Sequence, residues 1–332
     1  MRALVLDRPG PLATGEPLRL LEVPDPEPGP GELLLRVGAC AVCRTDLQLV
    51  EDDLAAHRLP TVPGHQVVGR VEALGVGVSG WAVGERAAVG WLGGTCGTCP
   101  ACRGGRENLC AAARFTAWDR DGGFAERIVV GADVALRVPA GFDDLAAAPL
   151  LCGGVIGYRS LLVSGIRPGG RLGLYGFGAS ALLAIQVARH WGCEVHVATR
   201  APRERARALA LGAASVGGYD DPPPAPLDAA VTFAPAGSVV LAALRALERG
   251  GTVAINAIHL DGIPAFAYGD LWWERGLRSV ANYTREDARA FLALAATIPV
   301  RTEIEVFPLH RGVDALRRLS GGALDGTAVL VP

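Results

Sequence analysis

The sequence lacks an excess of positive charge. Its 332 residues carry 32 basic and 34 acidic side chains, which gives a net charge of −2. Lysine does not occur, so every one of those basic residues is arginine. Proteins that neutralise phosphate backbones need a basic surface. The charge balance therefore argues against a nucleic-acid partner, and also against a zinc ribbon that binds nucleic acid.

Long uninterrupted apolar runs are also missing. The longest uncharged apolar stretch lies between Arg171 and Arg189, where three glycines interrupt it. It is slightly short for a membrane span and is better explained as a buried strand, turn and helix. The N-terminus becomes charged too early for a signal peptide. We therefore expect a soluble cytoplasmic protein with no membrane partner, long enough for two domains.

The secondary-structure pattern changes near residue 154. Before it, short strands such as 33–37 alternate with Pro- and Gly-rich connections, which favours a compact antiparallel barrel. After it, strand and helix patterns alternate to about residue 284, as in βαβ units. Residues 279–282 are the predicted last strand of that part, and residues 285–296 are a predicted helix.

Cysteines are concentrated in one short segment. Four of the eight lie at Cys-x2-Cys-x2-Cys-x7-Cys spacing, at Cys96, Cys99, Cys102 and Cys110. The segment has no apolar run, so it cannot fold around a core of its own. Four thiolates around one Zn²⁺ would organise it and leave no open coordination position, which makes that zinc structural. Two disulfides or free thiols are the alternatives.

Cys43, His65 and Cys152 come from three distant segments. Each residue alone has an ordinary explanation, because a lone cysteine is usually core filler and a lone histidine a polar residue. Cys40 and Cys43 also form a Cys-x2-Cys pair, which is compatible with redox or metal chemistry. Together, however, Cys43, His65 and Cys152 form the ligand set of a catalytic zinc with one open position.

A glycine turn follows a buried strand at residues 171–175. The sequence there is Gly176-x-Gly178-x-x-Ala181, and a helical pattern begins directly after it. Gly176 allows the tight turn, and Gly178 lets the backbone approach a pyrophosphate at the helix N-terminus, with Ala179 beside it. In the strand–turn–helix context that this pattern requires, the turn predicts a nicotinamide cofactor.

Taken in order, these features resemble the zinc-dependent alcohol dehydrogenases of the medium-chain dehydrogenase/reductase family. The matching pieces are residues 43–46, 63–65, the four-cysteine lobe, 151–153 and the glycine turn. They cover essentially the whole chain. The resemblance implies an α/β protein with a GroES-like antiparallel β-barrel catalytic domain at 1–153 and a Rossmann doubly wound parallel-sheet domain at 154–284. The structural zinc lobe would lie at about 91–112, and residues 285–332 would return to the catalytic domain.

The resemblance also implies roles for single residues. Zinc held by Cys43, His65 and Cys152 would act as a Lewis acid on the alcohol oxygen and lower the pKa of its hydroxyl. Thr45 would hydrogen-bond that oxygen and start the proton path, and Asp46 would orient His65. Without the resemblance, Thr45 and Asp46 fit a simple turn or helix cap equally well.

Two positions depart from the family pattern. The family usually has Glu directly after the zinc-binding histidine, and this chain has Gln66. The histidine that often ends the proton relay is replaced by Gln48, which cannot take up a proton at ordinary pH. Proton release would then go through water or the cofactor ribose, and His57 is by default a surface residue.

Residues at the end of the second strand of a Rossmann domain decide between NAD and NADP. An NAD site normally carries an acidic residue there, but this chain has Thr199 and Arg200. Arg200 can pair with the 2′-phosphate of NADP, so NADP is favoured over NAD. The alternative is that Arg200 stacks over adenine or is solvated. By family position, Arg44 would contribute to the same cofactor site.

By family position Trp91 would line the substrate channel, and Trp118 is a weaker candidate that core packing explains nearly as well. Aromatic walls favour an uncharged, partly apolar alcohol or aldehyde. The leading hypothesis is thus a zinc alcohol dehydrogenase or aldehyde reductase that transfers hydride between a primary or secondary alcohol and NAD(P). A polyol dehydrogenase and a non-catalytic zinc- and nucleotide-binding relative are the alternatives. A homo-oligomer, dimer or tetramer, is expected.

Overall fold

The computed structural model describes residues 1–298 and 300–332. The chain forms two compact units, one made of Met1–Cys152 with Thr284–Pro332 and the other of Gly153–Tyr283. They are called unit 1 and unit 2 below. Unit 1 carries the cysteine and histidine ligand candidates, and unit 2 carries the glycine turn.

The first part of unit 1 is built mainly from strands. The strands are β1 (Arg2–Leu6), β2 (Leu18–Glu22), β3 (Glu32–Ala41), β4 (Gln66–Leu74), β5 (Arg86–Val89), β6 (Leu92–Gly94), β7 (Arg114–Phe115), β8 (Arg127–Gly131) and β9 (Leu136–Arg137). The helices are α1 (Arg44–Glu51), α2 (Pro100–Arg103) and α3 (Asp144–Ala147), and a 3₁₀ turn follows at Ala148–Leu151. The antiparallel pairing of β3 with β4 and β8, and of β4 with β5, confirms the predicted antiparallel organisation.

Unit 2 alternates helices and strands. In chain order they are α4 (Gly153–Ser164), β10 (Arg171–Tyr175), α5 (Ala179–His190), β11 (Glu194–Ala198), α6 (Pro202–Ala210), β12 (Ser215–Gly217), β13 (Leu227–Thr232), α7 (Gly237–Arg245), β14 (Leu247–Ile255) and β15 (Gly276–Ser279). The sheet is parallel with the order β12-β11-β10-β13-β14-β15. That order is the doubly wound one, with its switch point between β10 and β13.

The last strand of this sheet lies three residues earlier than predicted. We expected it at residues 279–282, but β15 spans Gly276–Ser279 and pairs in parallel with residues 252–255 of β14. The prediction was wrong at its C-terminal side because Asn282 adopts a left-handed backbone conformation with φ of 57°. A strand cannot continue through that conformation.

The chain then returns to unit 1 through α8 (Arg285–Thr297), β16 (Ile304–Pro308), α9 (Gly312–Ser320) and β17 (Thr327–Val331). The side-chain oxygen of Thr284 accepts from the N–H of Asp287, whose carboxylate accepts from the N–H of Thr284, so α8 begins with a capping box. Glu107, a buried residue of the four-cysteine lobe, accepts from the N–H of Arg285 at 2.7 Å. The lobe is thus fastened to the start of α8.

β17 joins β3 antiparallel and pairs with β16 on its other side. The returning segment therefore extends the sheet that already contains β3, β4, β5 and β9. Leu33, Leu35, Val67, Phe124 and Leu330 are fully or almost fully buried in one core beneath this sheet. That core supports the loops that precede α1 and β4.

The helical run from Asp144 to Ser164 is long and apolar enough to cross a membrane by length and composition, with a mean hydropathy of 1.5. However, 56% of that window is buried inside the protein, and core helices pass the same test. The run is thus weak evidence for a membrane span.

Close packing of α4 on α5 leads to a test of unit 2. A Cβ atom at Gly157 would lie 2.9 Å from the Ser180 carbonyl oxygen and 3.3 Å from the Ala184 Cβ. Overpacking of this kind costs about 1–3 kcal/mol, which outweighs the gain of about 1 kcal/mol in helix propensity. We expect Gly157→Ala to lower the free energy of unfolding, measured by chemical denaturation.

Gly153→Ala is the matched control, because the nearest atoms to a Cβ there lie at 3.6 Å, an ordinary contact. It should leave stability unchanged or raise it by up to about 1 kcal/mol, since the gain in helix propensity meets no clash there. Equal stability of the two variants would contradict the role of Gly157 as the contact between α4 and α5.

Candidate active site

The four cysteines of the lobe converge. Cys96, Cys99, Cys102 and Cys110 have Sγ atoms that all lie within 4.8 Å of one another. The Cys96 Sγ lies 3.9 Å from that of Cys102 and 3.5 Å from that of Cys110. Tetrahedral Zn–S bonds of about 2.3 Å separate the sulfurs by about 3.8 Å. The set fits a metal and is not disulfide-bonded.

Backbone groups in the lobe stabilise thiolates. The N–H of Cys99 donates to the Sγ of Cys96, and the N–H of Cys102 donates to the Sγ of Cys99, each at 3.4 Å. Hydrogen bonds from the N–H groups of Thr98 and Cys99 lower the pKa of Cys96 to about 6. Burial and the neighbouring Cys99 instead raise the pKa of Cys102 to about 11. Metal binding needs deprotonated sulfur, so Cys96 is the thiol that is prepared for it before the metal binds.

A second ligand set lies elsewhere in unit 1. Cys43 precedes α1, His65 precedes β4, and Cys152 follows the 3₁₀ turn. Their ligand atoms lie within 4.8 Å of one another, and the Cys43 Sγ is 3.4 Å from the His65 Nε2. Tetrahedral zinc would separate a sulfur and a nitrogen ligand by about 3.6 Å. Three ligands with this geometry leave one position for a substrate oxygen.

The Asp46 carboxylate connects two of the three ligand segments. It accepts hydrogen bonds from the Cys43 N–H at 2.8 Å and the Gly64 N–H at 3.2 Å. Its Oδ1 also lies 3.0 Å from the Nδ1 of His65, and both side chains are 99% buried. Because Nδ1 is engaged with Asp46, Nε2 is the ring nitrogen that faces the sulfurs.

The electrostatics of this set favour a cation. Burial opposes a charge on His65, but the Asp46 carboxylate and Cys43 sulfur outweigh it and raise the pKa of the imidazole to about 10. The hydrogen bond with Cys152 and burial raise the pKa of the Cys43 thiol well above its usual value. Without a bound cation, His65 and Cys43 therefore hold protons, which a metal ion would displace.

In unit 2 the glycine turn has the predicted form. Gly176 has φ of +90°, and a Cβ there would lie 2.9 Å from the N atom of Ala234, so only glycine fits. Nothing lies within 4 Å of the position of a Cβ at Gly178, directly before Ala179 and the rest of α5. That open space over a helix N-terminus fits a pyrophosphate group.

The end of β11 carries an acidic residue that our sequence analysis missed. Thr199 is buried, and its hydroxyl donates to the Glu204 carboxylate. Arg205 donates to the Thr199 carbonyl oxygen at 2.9 Å, while the exposed Arg200 lies over Tyr219 at 6.0 Å. The signal was Pro202, which starts α6 and places Glu204 in the first helical turn, beside the strand end.

The comparisons with known proteins agree with this geometry. Residues 29–140 match the family model of the alcohol dehydrogenase GroES-like domain. The chain is 50% identical to a probable alcohol dehydrogenase, AdhA, from Mycobacterium tuberculosis, over 100% of this chain and 97% of that protein. The chain belongs to the zinc-dependent alcohol dehydrogenases of the medium-chain dehydrogenase/reductase family.

Solved structures extend the similarity to the fold of this alcohol dehydrogenase. A cinnamyl alcohol dehydrogenase from Sorghum bicolor has a TM-score of 0.90 at 26% identity, covering 99% of this chain and 97% of that one. A cobalt- and zinc-bound thermostable alcohol dehydrogenase from Pyrobaculum aerophilum has a TM-score of 0.89 at 27% identity, covering 100% and 99%.

The predicted family, fold class and enzyme class are confirmed by these findings. The coarse cofactor prediction, zinc with a nicotinamide, is also confirmed.

The two departures from the family pattern have different surroundings in this alcohol dehydrogenase. Gln66 is buried, and its amide donates to the Ala41 carbonyl oxygen at 3.3 Å. A carboxylate could not make that bond, which is a physical reason for glutamine there. Gln48 and Thr45 are half-buried in α1, and Arg44 at its start is exposed.

An aromatic wall extends from the second ligand set. The ring of Trp91 meets His65 edge-on at a centroid distance of 4.9 Å. Phe115 and Trp118 stack on Trp91 at 5.4 and 5.7 Å. His57 stacks on Trp118 at 3.7 Å. Trp91 and Trp118 thus belong to one wall that begins at a ligand imidazole.

His57 has a partner that our sequence analysis did not predict. Its Nδ1 lies 2.7 Å from the Asp119 Oδ1, although the ring is about half exposed. The Nε1 of Trp118 donates to the Ala55 carbonyl oxygen at 2.8 Å. These contacts hold the outer end of the aromatic wall in place.

The Asp46 contacts lead to a prediction about metal affinity. Loss of a carboxylate that orients a metal-binding histidine typically costs about 10–100-fold in affinity. We expect Asp46→Asn to weaken zinc binding at the Cys43 site by a factor in that range, measured by competition with a chelator. A variant that keeps wild-type affinity would contradict the role of Asp46.

Asp119→Asn is the control, because it also removes a carboxylate that contacts a histidine, in this case the half-exposed His57. It should leave zinc affinity unchanged. A loss in both variants would show that general destabilisation, and not His65 orientation, is responsible.

Proposed function

We propose that each chain holds two zinc ions, one structural and one catalytic. The convergence of two separate ligand sets in unit 1 carries this proposal. Four thiolates in the lobe leave no open position, while Cys43, His65 and Cys152 leave one. The structural ion would organise a lobe that contains little apolar side-chain area of its own.

The reaction is the reversible oxidation of an alcohol to an aldehyde or ketone. When bound, zinc at the Cys43 site would polarise the substrate oxygen, and the nicotinamide would exchange hydride with the substrate carbon. Thr45, two residues after Cys43, would hydrogen-bond the substrate hydroxyl and pass its proton on. Asp46 holds His65 in the orientation needed for its ligand role. Gln48 cannot accept the proton, so water or the cofactor ribose would take it.

The aromatic wall supports an uncharged, partly apolar substrate. Trp91, Phe115 and Trp118 form a continuous apolar surface that begins beside His65. A polyol would need hydrogen-bonding groups along its length, which aromatic ring faces do not supply. We therefore favour a primary or secondary alcohol, or the aldehyde, over a polyol.

NADP is the cofactor that the end of β11 supports. Arg200 and Arg205 supply two positive charges there against the single carboxylate of Glu204. Arg200 is exposed beside Tyr219, and its guanidinium would pair with a 2′-phosphate. Glu204 keeps NAD open as the alternative, because a carboxylate near the strand end could accept from a ribose hydroxyl. Arg44 would contribute a further charge toward the cofactor.

We also propose a homo-oligomer in the cytoplasm. Support comes from exposed apolar side chains in one segment of unit 2, Ile258, Tyr268, Trp272 and Trp273. Large exposed apolar side chains in one region are typical of protein interfaces.

The central test combines metal content with activity. We expect the wild-type chain to contain two zinc ions and Cys43→Ser to contain one. Alcohol oxidation should fall by more than about 100-fold in that variant, since even the partners of metal ligands are worth about 10–100-fold. Metal analysis and steady-state kinetics on the same preparation measure both.

Cys193→Ser is the matched control, because Cys193 is a buried cysteine outside both ligand sets. It should keep two zinc ions and its activity. Full activity of Cys43→Ser would instead support a non-catalytic role for this metal site.

Arg200 gives a test of cofactor choice. Charge-assisted hydrogen bonds are worth about 1.5–3 kcal/mol, so Arg200→Ala should lower kcat/KM for NADP by about 10- to 100-fold. The value for NAD should change little. Arg203→Ala is the control, because Arg203 is also exposed but is the second residue of α6. A wild-type kcat/KM for NAD above that for NADP would contradict the proposal.

A further inference from the structure

The aromatic wall of unit 1 extends from the catalytic ligand set toward solvent. His65 is 1% exposed, and Trp91, which meets it edge-on, is 8% exposed. Trp118 stacks on Trp91 and is half-buried, and the side chain of His57, which stacks on Trp118, is 48% exposed. A substrate that has its oxygen at the ligand set and follows this wall outward therefore meets Trp91 first and Trp118 second.

Trp118 is fixed mainly by its contact with His57. The two rings stack at a centroid distance of 3.7 Å with an interplanar angle of 20°, which is the shortest ring-to-ring distance in the wall. The indole Nε1 donates to the Ala55 carbonyl oxygen at 2.8 Å, so one edge of the indole is held as well. The position of Trp118 thus depends on where the imidazole of His57 lies.

The Asp119 carboxylate fixes that imidazole. Its Oδ1 lies 2.7 Å from the Nδ1 of His57, and its Oδ2 accepts from the Phe115 N–H at 2.7 Å. A half-exposed side chain loses rotamer freedom when it is held in place, and these contacts offset that loss. Asp119 therefore ties His57 to the turn that carries Trp118.

The backbone before Trp118 is strained. Ala117 has φ of +70° and is 1% exposed. The left-handed region is unfavourable for alanine, and such residues persist only where their surroundings hold them. On one side of Ala117, the Thr116 hydroxyl donates to the Gly90 carbonyl oxygen at 2.9 Å. On the other side the contacts of Trp118 hold the chain, so the turn presents this indole in one orientation.

His57 is too far along the wall to act on the reacting atoms, because Trp91 and Trp118 lie between it and His65. We propose that Trp118 determines specificity for the distal part of the substrate, and that His57, fixed by Asp119, positions it. This inference rests on the uncharged, partly apolar substrate proposed above.

The substrate class that fits is a primary alcohol with an aryl group a few carbons from the hydroxyl. The ring centre of Trp118 lies 5.7 Å from that of Trp91. Ethanol bound at the ligand set is too short to reach past Trp91. The phenyl ring of 3-phenylpropan-1-ol extends to Trp118, where ring-to-ring contact is favourable.

The first test measures binding of 3-phenylpropan-1-ol to the full-length, zinc-loaded enzyme without nicotinamide, by isothermal titration calorimetry. His57→Ala should raise Kd by about 3- to 10-fold, which is what an aromatic contact is worth. His57→Phe restores a ring that can stack on Trp118 and should recover most of the affinity. An unchanged Kd in His57→Ala, or equal weakness of the two variants, would overturn the proposal.

Steady-state kinetics on the same variants separate positioning from chemistry. In His57→Ala the KM for 3-phenylpropan-1-ol should rise by the same factor, while kcat and the KM for ethanol stay at wild-type values. A parallel loss with both alcohols would point to damage at the ligand set and contradict the role of His57. If the wild-type enzyme oxidised neither alcohol, the proposed function would fail, and the Kd comparison would still decide whether His57 positions Trp118.

Arg58→Ala is the matched control. The Nη1 of Arg58 donates to the Asp121 Oδ1 at 2.8 Å, which joins the same two segments of the chain without a ring contact. The Val62 N–H also donates to that oxygen and remains in the variant. Arg58→Ala should keep the wild-type Kd and KM for 3-phenylpropan-1-ol. A loss equal to that of His57→Ala would assign the effect to the link between the segments and overturn the proposal.

Discussion

The active site of this alcohol dehydrogenase depends on the buried carboxylate of Asp46. It bonds the backbone at Cys43 and Gly64 and contacts the imidazole of His65. Two ligands that are 22 residues apart in the chain are thereby held by one side chain. A carboxylate at 1% exposure is costly unless every oxygen is satisfied, and these contacts satisfy both. The carboxylate thus holds the loop before α1 to the loop before β4.

The core of unit 1 imposes a second constraint on the same place. Gly64 has φ of +94°, and a Cβ there would lie 2.3 Å from the ring of Phe124 and 2.9 Å from the Cys40 sulfur. The backbone before His65 therefore lies directly on the packed core. The position of a ligand residue is set by core packing on one side and by Asp46 on the other. A rigid scaffold of this kind keeps the ligand atoms close to one another even before a metal ion binds, when the raised pKa values of Cys43 and His65 favour their protonated forms.

The sequence predicts the metal ligands and the cofactor turn, but it does not predict the contacts of the residues around them. The residue types at Cys43, His65, Cys152 and the four-cysteine lobe have few other uses in that order, and the glycine turn requires a strand before it and a helix after it. The contacts of Glu204 with Thr199, of Gln66 with Ala41 and of His57 with Asp119 depend on which segments meet in space. Composition and periodicity do not contain that information. The boundary of β15 was missed although asparagine is one of the few non-glycine residues that often adopts a left-handed conformation, because most asparagines do not adopt it.

The connection between β12 and β13, residues 218–226, contains no helix, which leaves part of one face of the parallel sheet without a helical cover. A parallel sheet is stable when both faces are covered, and its buried strands are accordingly apolar. Here His196 of β11 lies on the face of the sheet that α7 leaves open, while its neighbours Val195 and Val197 lie on the opposite face. A histidine in the middle of a parallel strand is unfavourable unless both ring nitrogens are near polar groups. Here Nδ1 lies 2.8 Å from the Ser215 hydroxyl on β12, and Nε2 lies 3.4 Å from the carboxylate of Glu194, two residues earlier on β11. Both polar groups come from β11 and its neighbour at the side of the sheet where the connecting helix is missing, so the polar residue in the strand is balanced locally.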